Sequence, residues 1–150
     1  MSRTYTNLLY HLVFSTKQRI PLILPSFQAD LHAYMGGIVR DLGGIAIEIG
    51  GAADHVHLLV RLKPVIALAD AMRELKAGSS KWVNEEKMKL RKFGWQDGYA
   101  AFTVSESQAP RVRAYIRRQE QHHCRIDFQQ EIRELLQRHK IDYDERYLWG

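Results

Sequence analysis

At 150 residues and 45% hydrophobic content, the chain is long enough to bury a core of its own, which excludes a disordered tail or a small disulfide-stapled scaffold. Cys124 is its single cysteine, so no intramolecular disulfide and no thiolate metal cluster can form, and a reducing cytoplasm is the expected setting. Twenty-two Lys and Arg against seventeen Asp and Glu leave a net charge of +5, which favours polyanionic partners without deciding the fold.

Residues Tyr5 to Ser15 are rich in Tyr, Thr, Leu, Val and Phe and read as a first strand. The apolar run inside it, Leu8 to Phe14, is short and holds His11, so neither a signal peptide nor a membrane span is expected. Lys17, Arg19 and Pro21 mark a basic loop, and Ser26 stands where it could cap a helix. That helix carries Phe27, Leu31, Met35, Ile38, Val39 and Leu42 at three- and four-residue intervals, and Gly43-Gly44 ends it. Ile45, Ile47 and Ile49 then alternate with Ala46 and Glu48, and Gly50-Gly51 leads into His55 to Val60, so two hairpin strands are expected before Pro64. A second helix is predicted from Ile66 to about Met88, weakened in its middle by Gly78-Ser79-Ser80. A fourth strand fits Gly98 to Val104, followed by helices from about Ser107 to His123 and about Phe128 to His139.

No repeat or linker interrupts this order, so residues 1–150 read as one domain. The order β-α-β-β-α-β followed by helices predicts an α+β, ferredoxin-like (RRM-like) fold: an antiparallel sheet with two helices on one face, additional C-terminal helices, and the other face available for function. Such a fold does not name an activity.

Two stretches carry chemistry. In Asp54-His55-Val56-His57-Leu58-Leu59-Val60 the period of a strand aims both imidazoles at one face and Val56, Leu58 and Val60 at the other. That is either a bidentate metal ligand on a rigid floor or two solvent-facing histidines on a half-buried strand. On the late helix, Tyr115 and Gln119 stand four residues apart, hence about 40° apart around its axis, with His122 on the same face. Arg111, Arg118 and Arg125 flank them, and Ala109, Val112 and Ile116 form the docking stripe. A phenol, an amide oxygen and guanidinium groups suit nucleophilic attack, metal ligation and phosphate binding, although the same pattern suits an ordinary solvated helix face.

Taken with Tyr10 to Lys17, Leu75 to Ser80 and Gly94 to Tyr99, these stretches make the chain resemble, over nearly its whole length, the single-tyrosine HUH transposases of the insertion-sequence, IS200-like type. The resemblance implies that His55 and His57 bind a divalent metal, Mg²⁺ or Mn²⁺, that Gln119 is the third protein ligand, and that Tyr115 is the nucleophile. It also implies a substrate of single-stranded DNA, often folded into hairpins near element ends, and a homodimer in which one subunit's tyrosine helix can complete the other's metal site. Attack by Tyr115 would leave a 5′-phosphotyrosine and a free 3′ hydroxyl, so the bond energy is kept for rejoining; no GxxxxGK[ST] phosphate loop is present or needed. His122 is the nearest candidate to assist Tyr115, and Lys17, Arg19, Lys76, Lys81 and the helix arginines Arg111, Arg118 and Arg125 are candidate backbone contacts. Two other readings compete: a non-catalytic ferredoxin-like nucleic-acid-binding module, and a metal-dependent phosphohydrolase in which water attacks.

Overall fold

A computed structural model describes residues 3–88, 90, 92–119 and 127–148. Its elements are β1 (Leu8–Ser15), α1 (Gln28–Asp41), β2 (Ile45–Ala52), β3 (His55–Leu62), α2 (Leu68–Glu86), β4 (Ala100–Val104), α3 (Ala109–Arg117), α4 (Phe128–Arg138) and a final turn of helix, α5 (Glu145–Leu148). The strands lie in the order β2-β3-β1-β4, all neighbours antiparallel. This is the predicted ferredoxin-like sheet.

Alternation along β1 and β3 divides the sheet into two faces. Leu12, Phe14, Val56, Leu58 and Val60 point to the side covered by α1 and α2, where they meet Leu31, Met35, Val39, Met72, Leu75 and Val83. Each such side chain withdrawn from water contributes about 1.5–3 kcal/mol, so this layer is the main source of stability. The opposite face is not bare, as the six-element pattern had suggested. Phe128, Ile132, Leu135 and Leu136 of α4 pack there on Val13 and Phe102, which places the C-terminal helix over the histidine pair.

Several local expectations are corrected. Strand β1 begins at Leu8 rather than Tyr5, and the N-cap of α1 is Phe27, with no side-chain cap, rather than Ser26. The glycines after α1 behave as expected: Gly43, at φ +83°, lets Gly43 N–H reach Arg40 O and Gly44 N–H reach Val39 O, the left-handed closure of a helix end. Helix α2 runs unbroken through Gly78. A Cβ there would lie 3.0 Å from Ile38 Cδ1, so the glycine gives that side chain of α1 room to pack on α2. Ser79 donates to the Leu75 carbonyl and accepts from Trp95 Nε1, which satisfies a hydroxyl buried between α2 and the segment before β4.

The largest correction concerns β2. Its three isoleucines do not share a face, because the register against β3 slips between Ala46 and Glu48: Ala46 pairs with Val60, but Glu48 pairs with Leu59 and Ile49 with Leu58. The extra residue is a β-bulge, and it reverses the facing of everything after it. Glu48 and Gly50 are thereby turned toward the histidine face. Glu48 Oε1 accepts from Arg113 Nε and Arg117 Nε, both at 2.8 Å, fixing α3 across β2. Gly50, opposite His57 in the ladder, leaves room for the α3 backbone, since a Cβ there would lie 2.4 Å from the Ile116 carbonyl oxygen. Gly50→Ala should therefore push α3 off the sheet at a cost of about 1–3 kcal/mol. Chemical denaturation checks the stability, and the metal affinity of the variant checks that the site has moved with the helix.

Candidate active site

Three strands and two helices converge on the histidine pair. His55 and His57 point to the same side of β3 as predicted, but they are not solvent-facing: both are 0% exposed, and Gln119 and Glu131 beside them are 1% exposed. Phe128 of α4 stacks on the His55 ring at 4.5 Å. Burying four polar side chains is costly unless each finds a partner, and here each does. His57 Nε2 lies 3.0 Å from Glu131 Oε1, with His55 Nε2 3.7 Å from the same oxygen. His55 Nε2 is also 2.8 Å from Gln119 Oε1. The other carboxylate oxygen, Glu131 Oε2, accepts from Gln119 Nε2 at 3.1 Å and from the Tyr115 hydroxyl.

The far nitrogens of the imidazoles are held as well. Asp54 Oδ1 stands 2.8 Å from His55 Nδ1, and His11 Nε2 stands 2.8 Å from His57 Nδ1, with the His11 and His57 rings stacked at 5.0 Å. Burial first, then the neighbouring His57, pushes the His11 pKa well below the usual imidazole value. A neutral His11 can accept the Nδ1 hydrogen of His57, as Asp54 accepts that of His55; in that tautomer both Nε2 lone pairs are left to ligate a cation alongside the Glu131 and Gln119 oxygens, and without one the Nε2 atoms must carry the hydrogens for those contacts to be bonds. Such outer partners orient metal-binding histidines. One ligand atom each from His55, His57 and Glu131 lie within 4.8 Å of one another. Two neutral imidazoles, a carboxylate and a nearby amide oxygen form a donor set that fits a divalent cation.

Tyr115 joins this centre, its ring 5.7 Å from that of His57. Burial and the adjacent Glu131 carboxylate push the phenol's pKa far above its ordinary value, against a smaller opposing effect of the Gln119 hydrogen bond. The Tyr115–Gln119 pairing arises differently from the prediction. Helix α3 ends at Arg117, and the chain turns at Arg118 (φ −96°, ψ 17°), so the two side chains are brought together by the turn and by a shared acceptor rather than by one continuous helix. His122 and Arg125 lie outside the described residues, as does Cys124.

Sequence reasoning missed Glu131, His11 and Asp54. Glu131 had left a trace, since it interrupts the apolar stripe Phe128, Ile132, Leu135, Leu136 with a carboxylate on the same helix face. Lys76, expected to contact DNA, is engaged within the fold instead. Its ammonium donates to the carbonyls of Gln96, Asp97 and Gly98 at 2.6, 3.0 and 2.8 Å, pinning the segment before β4 to α2. Lys17 and Lys81 remain exposed.

Comparison with known proteins gives a consistent result. The profile of the family described as "Transposase IS200 like" matches residues 4–119. The chain is 30% identical over 129 residues to the transposase for insertion sequence element IS200 of Salmonella typhimurium, covering 79% of this chain and 81% of that protein. It is 29% identical over 115 residues to the ISDra2 transposase TnpA of Deinococcus radiodurans, covering 73% and 82%. Among solved structures, a Deinococcus radiodurans protein assigned as a transposase superposes with a TM-score of 0.66 at 24% identity, over 79% of this chain and 95% of that one. A REP-associated tyrosine transposase bound to a REP hairpin superposes with a TM-score of 0.61 at 15% identity, over 82% and 73%. At those identities the two structures bear on the fold alone.

Proposed function

This chain belongs to the IS200-like transposase family, and we propose that it cleaves and rejoins single-stranded DNA through Tyr115, with a divalent cation held by His55, His57 and a third donor. It is an enzyme, a DNA transposase. The observation that carries the residue assignment is the gathering of Tyr115, both imidazoles, Gln119 and Glu131 in one buried cluster of a single chain.

A bound cation supplies Lewis-acid stabilisation of the charge on the scissile phosphate and the departing 3′ oxygen. His55 Nε2, His57 Nε2 and Glu131 Oε1 would hold it, with Gln119 Oε1 as a fourth donor beside His55. Gln119 was the expected third ligand; it meets His55 alone, at 2.8 Å, whereas Glu131 Oε1 stands near both imidazoles, 3.0 Å from His57 and 3.7 Å from His55, which supports a carboxylate as a ligand beside it. A donor set with two imidazoles suits Mn²⁺ better than Mg²⁺, which prefers oxygen. Tyr115 attacks phosphorus, and Glu131 Oε2, already its hydrogen-bond acceptor, is placed to take the phenolic proton. A phenol is only weakly acidic in its ordinary state, so a carboxylate already in hydrogen-bond contact with it assists the attack. The 5′ phosphate passes to the tyrosine, the electron pair leaves with the 3′ oxygen, and rejoining reverses each step.

The domain in this reading spans residues 1–150, because α4, beyond the matched family region, packs on the same sheet. Among the described residues no helix is long and apolar enough to cross a membrane, and the proposed setting is the cytoplasm. A homodimer exchanging α3 between subunits remains part of the proposal, although each chain already gathers its own tyrosine and imidazoles. The test is incubation with labelled, hairpin-forming single-stranded DNA and Mn²⁺, followed by denaturing electrophoresis. Label migrating with the protein is expected. Cut DNA without an adduct would favour the phosphohydrolase reading, and binding without cleavage would favour a passive module.

A further inference from the structure

The buried cluster must be reached from outside, and a cavity of about 330 Å³ adjoins it. Tyr115 and His11, both members of the cluster, line it together with Arg111 of α3 and Arg138 of α4. Most arginines nearby are already paired: Arg113 and Arg117 with Glu48, Arg133 with Glu145, Arg61 with Glu106. Among the described residues, Arg111 and Arg138 have no carboxylate within ion-pair reach. Two uncompensated guanidinium groups on opposite helices, beside a nucleophile, suit a phosphate.

The remaining lining suits the rest of a nucleotide. Val112 and Leu135 provide an apolar side, and Ser105 and Gln108 provide a polar rim. The His139 ring is held flat by stacking on Phe102 at 4.2 Å and by the contact of its Nδ1 with the Leu135 carbonyl at 2.9 Å. A flat ring in such a place is a stacking platform for a base. The volume is at the small end of ligand pockets, which suits a single nucleotide.

We propose that this cavity binds the nucleotide adjoining the scissile phosphate, its phosphate between Arg111 and Arg138 and its base toward His139. The inference rests on the transposase reading, and it gives α4 a role in substrate binding. Leu135, Arg138 and His139 lie past residue 119, so this pocket is built by a part of the chain that the family profile does not reach.

The experiment is fluorescence anisotropy of the full-length protein with a fluorescein-labelled oligothymidylate, which forms no hairpin, across a salt series. Arg111→Ala and Arg138→Ala should each weaken binding about tenfold and lower the salt slope by roughly 0.7. Gln108→Trp, at an exposed rim position, should weaken binding to a similar degree with no change of charge. Arg73→Ala, an exposed arginine of α2 paired with Asp70, should bind like the parent, and thermal melts confirm that every variant is folded. Arginine variants no weaker than the Arg73→Ala control overturn the pocket. A Gln108→Trp protein that binds like the parent also overturns it, leaving only a general basic field. In either case adduct formation by the parent keeps the transposase reading intact. A parent that neither binds the oligonucleotide nor forms adducts with hairpin DNA sinks both.

Discussion

Tyr115→Phe is expected to abolish the covalent protein–DNA adduct completely while leaving hairpin binding and folding close to those of the parent. Phenylalanine has no oxygen with which to form the ester, so the effect on the adduct is total. The structural cost is small by comparison. The lost hydrogen bond to Glu131 Oε2 contributes about 1 kcal/mol, and that oxygen keeps Gln119 Nε2 as a donor at 3.1 Å. The ring retains its edge contacts with His11 and His57, so α3 should stay docked. Denaturing electrophoresis reads the adduct, and native gel shift reads the binding. An adduct that persists in the phenylalanine protein would show that another of the seven tyrosines is the nucleophile.

Glu131→Gln should produce the second-largest loss, and it separates two candidates for the third ligand. The substitution keeps the shape and a hydrogen-bonding capacity but removes the charge facing both imidazoles and the acceptor for the Tyr115 proton. Mn²⁺ affinity by calorimetry should fall by at least 10–100-fold, the range seen even for groups that only support a ligand. Single-turnover adduct formation should fall by about 10²–10⁴-fold, the usual contribution of a positioned proton acceptor. If Mn²⁺ binds the variant as it binds the parent, Gln119 is the third ligand and the carboxylate is only packing. Gln119→Ala run in parallel completes the comparison: weaker Mn²⁺ binding without a drop in thermal stability comparable to a core deletion is expected.

How much of this was readable in the sequence depends on the range of the interaction concerned. The facing of His55 and His57 followed from the period of a strand, a purely local property, and so did the order of elements that gives the sheet. The bulge in β2 was not readable. Ile45, Ile47 and Ile49 alternate cleanly in sequence, and the slip exists only in their pairing with β3, where it turns Glu48 and Gly50 toward α3. The break at Arg118 was hidden for a related reason, since nothing between Tyr115 and Gln119 is a poor helix former. Glu131 is the instructive case. A carboxylate within an apolar stripe signals a buried charge that needs a partner, but which partner is decided 74 residues earlier, at His57. The burial of the histidines likewise comes from α4, whose apolar stripe announces that it docks but not on which face of the sheet.

The sealing of that cluster has a consequence for the lifetime of the intermediate. A phosphotyrosine is an ester that water can destroy, and a single hydrolytic event would leave a broken strand with nothing to drive its repair. In the proposed reaction, the burial of the imidazoles, the amide and the carboxylate, with Phe128 stacked on His55, would leave room for few waters beside the groups that could activate them. The linkage can then wait, chemically intact, for the 3′ end that is to capture it.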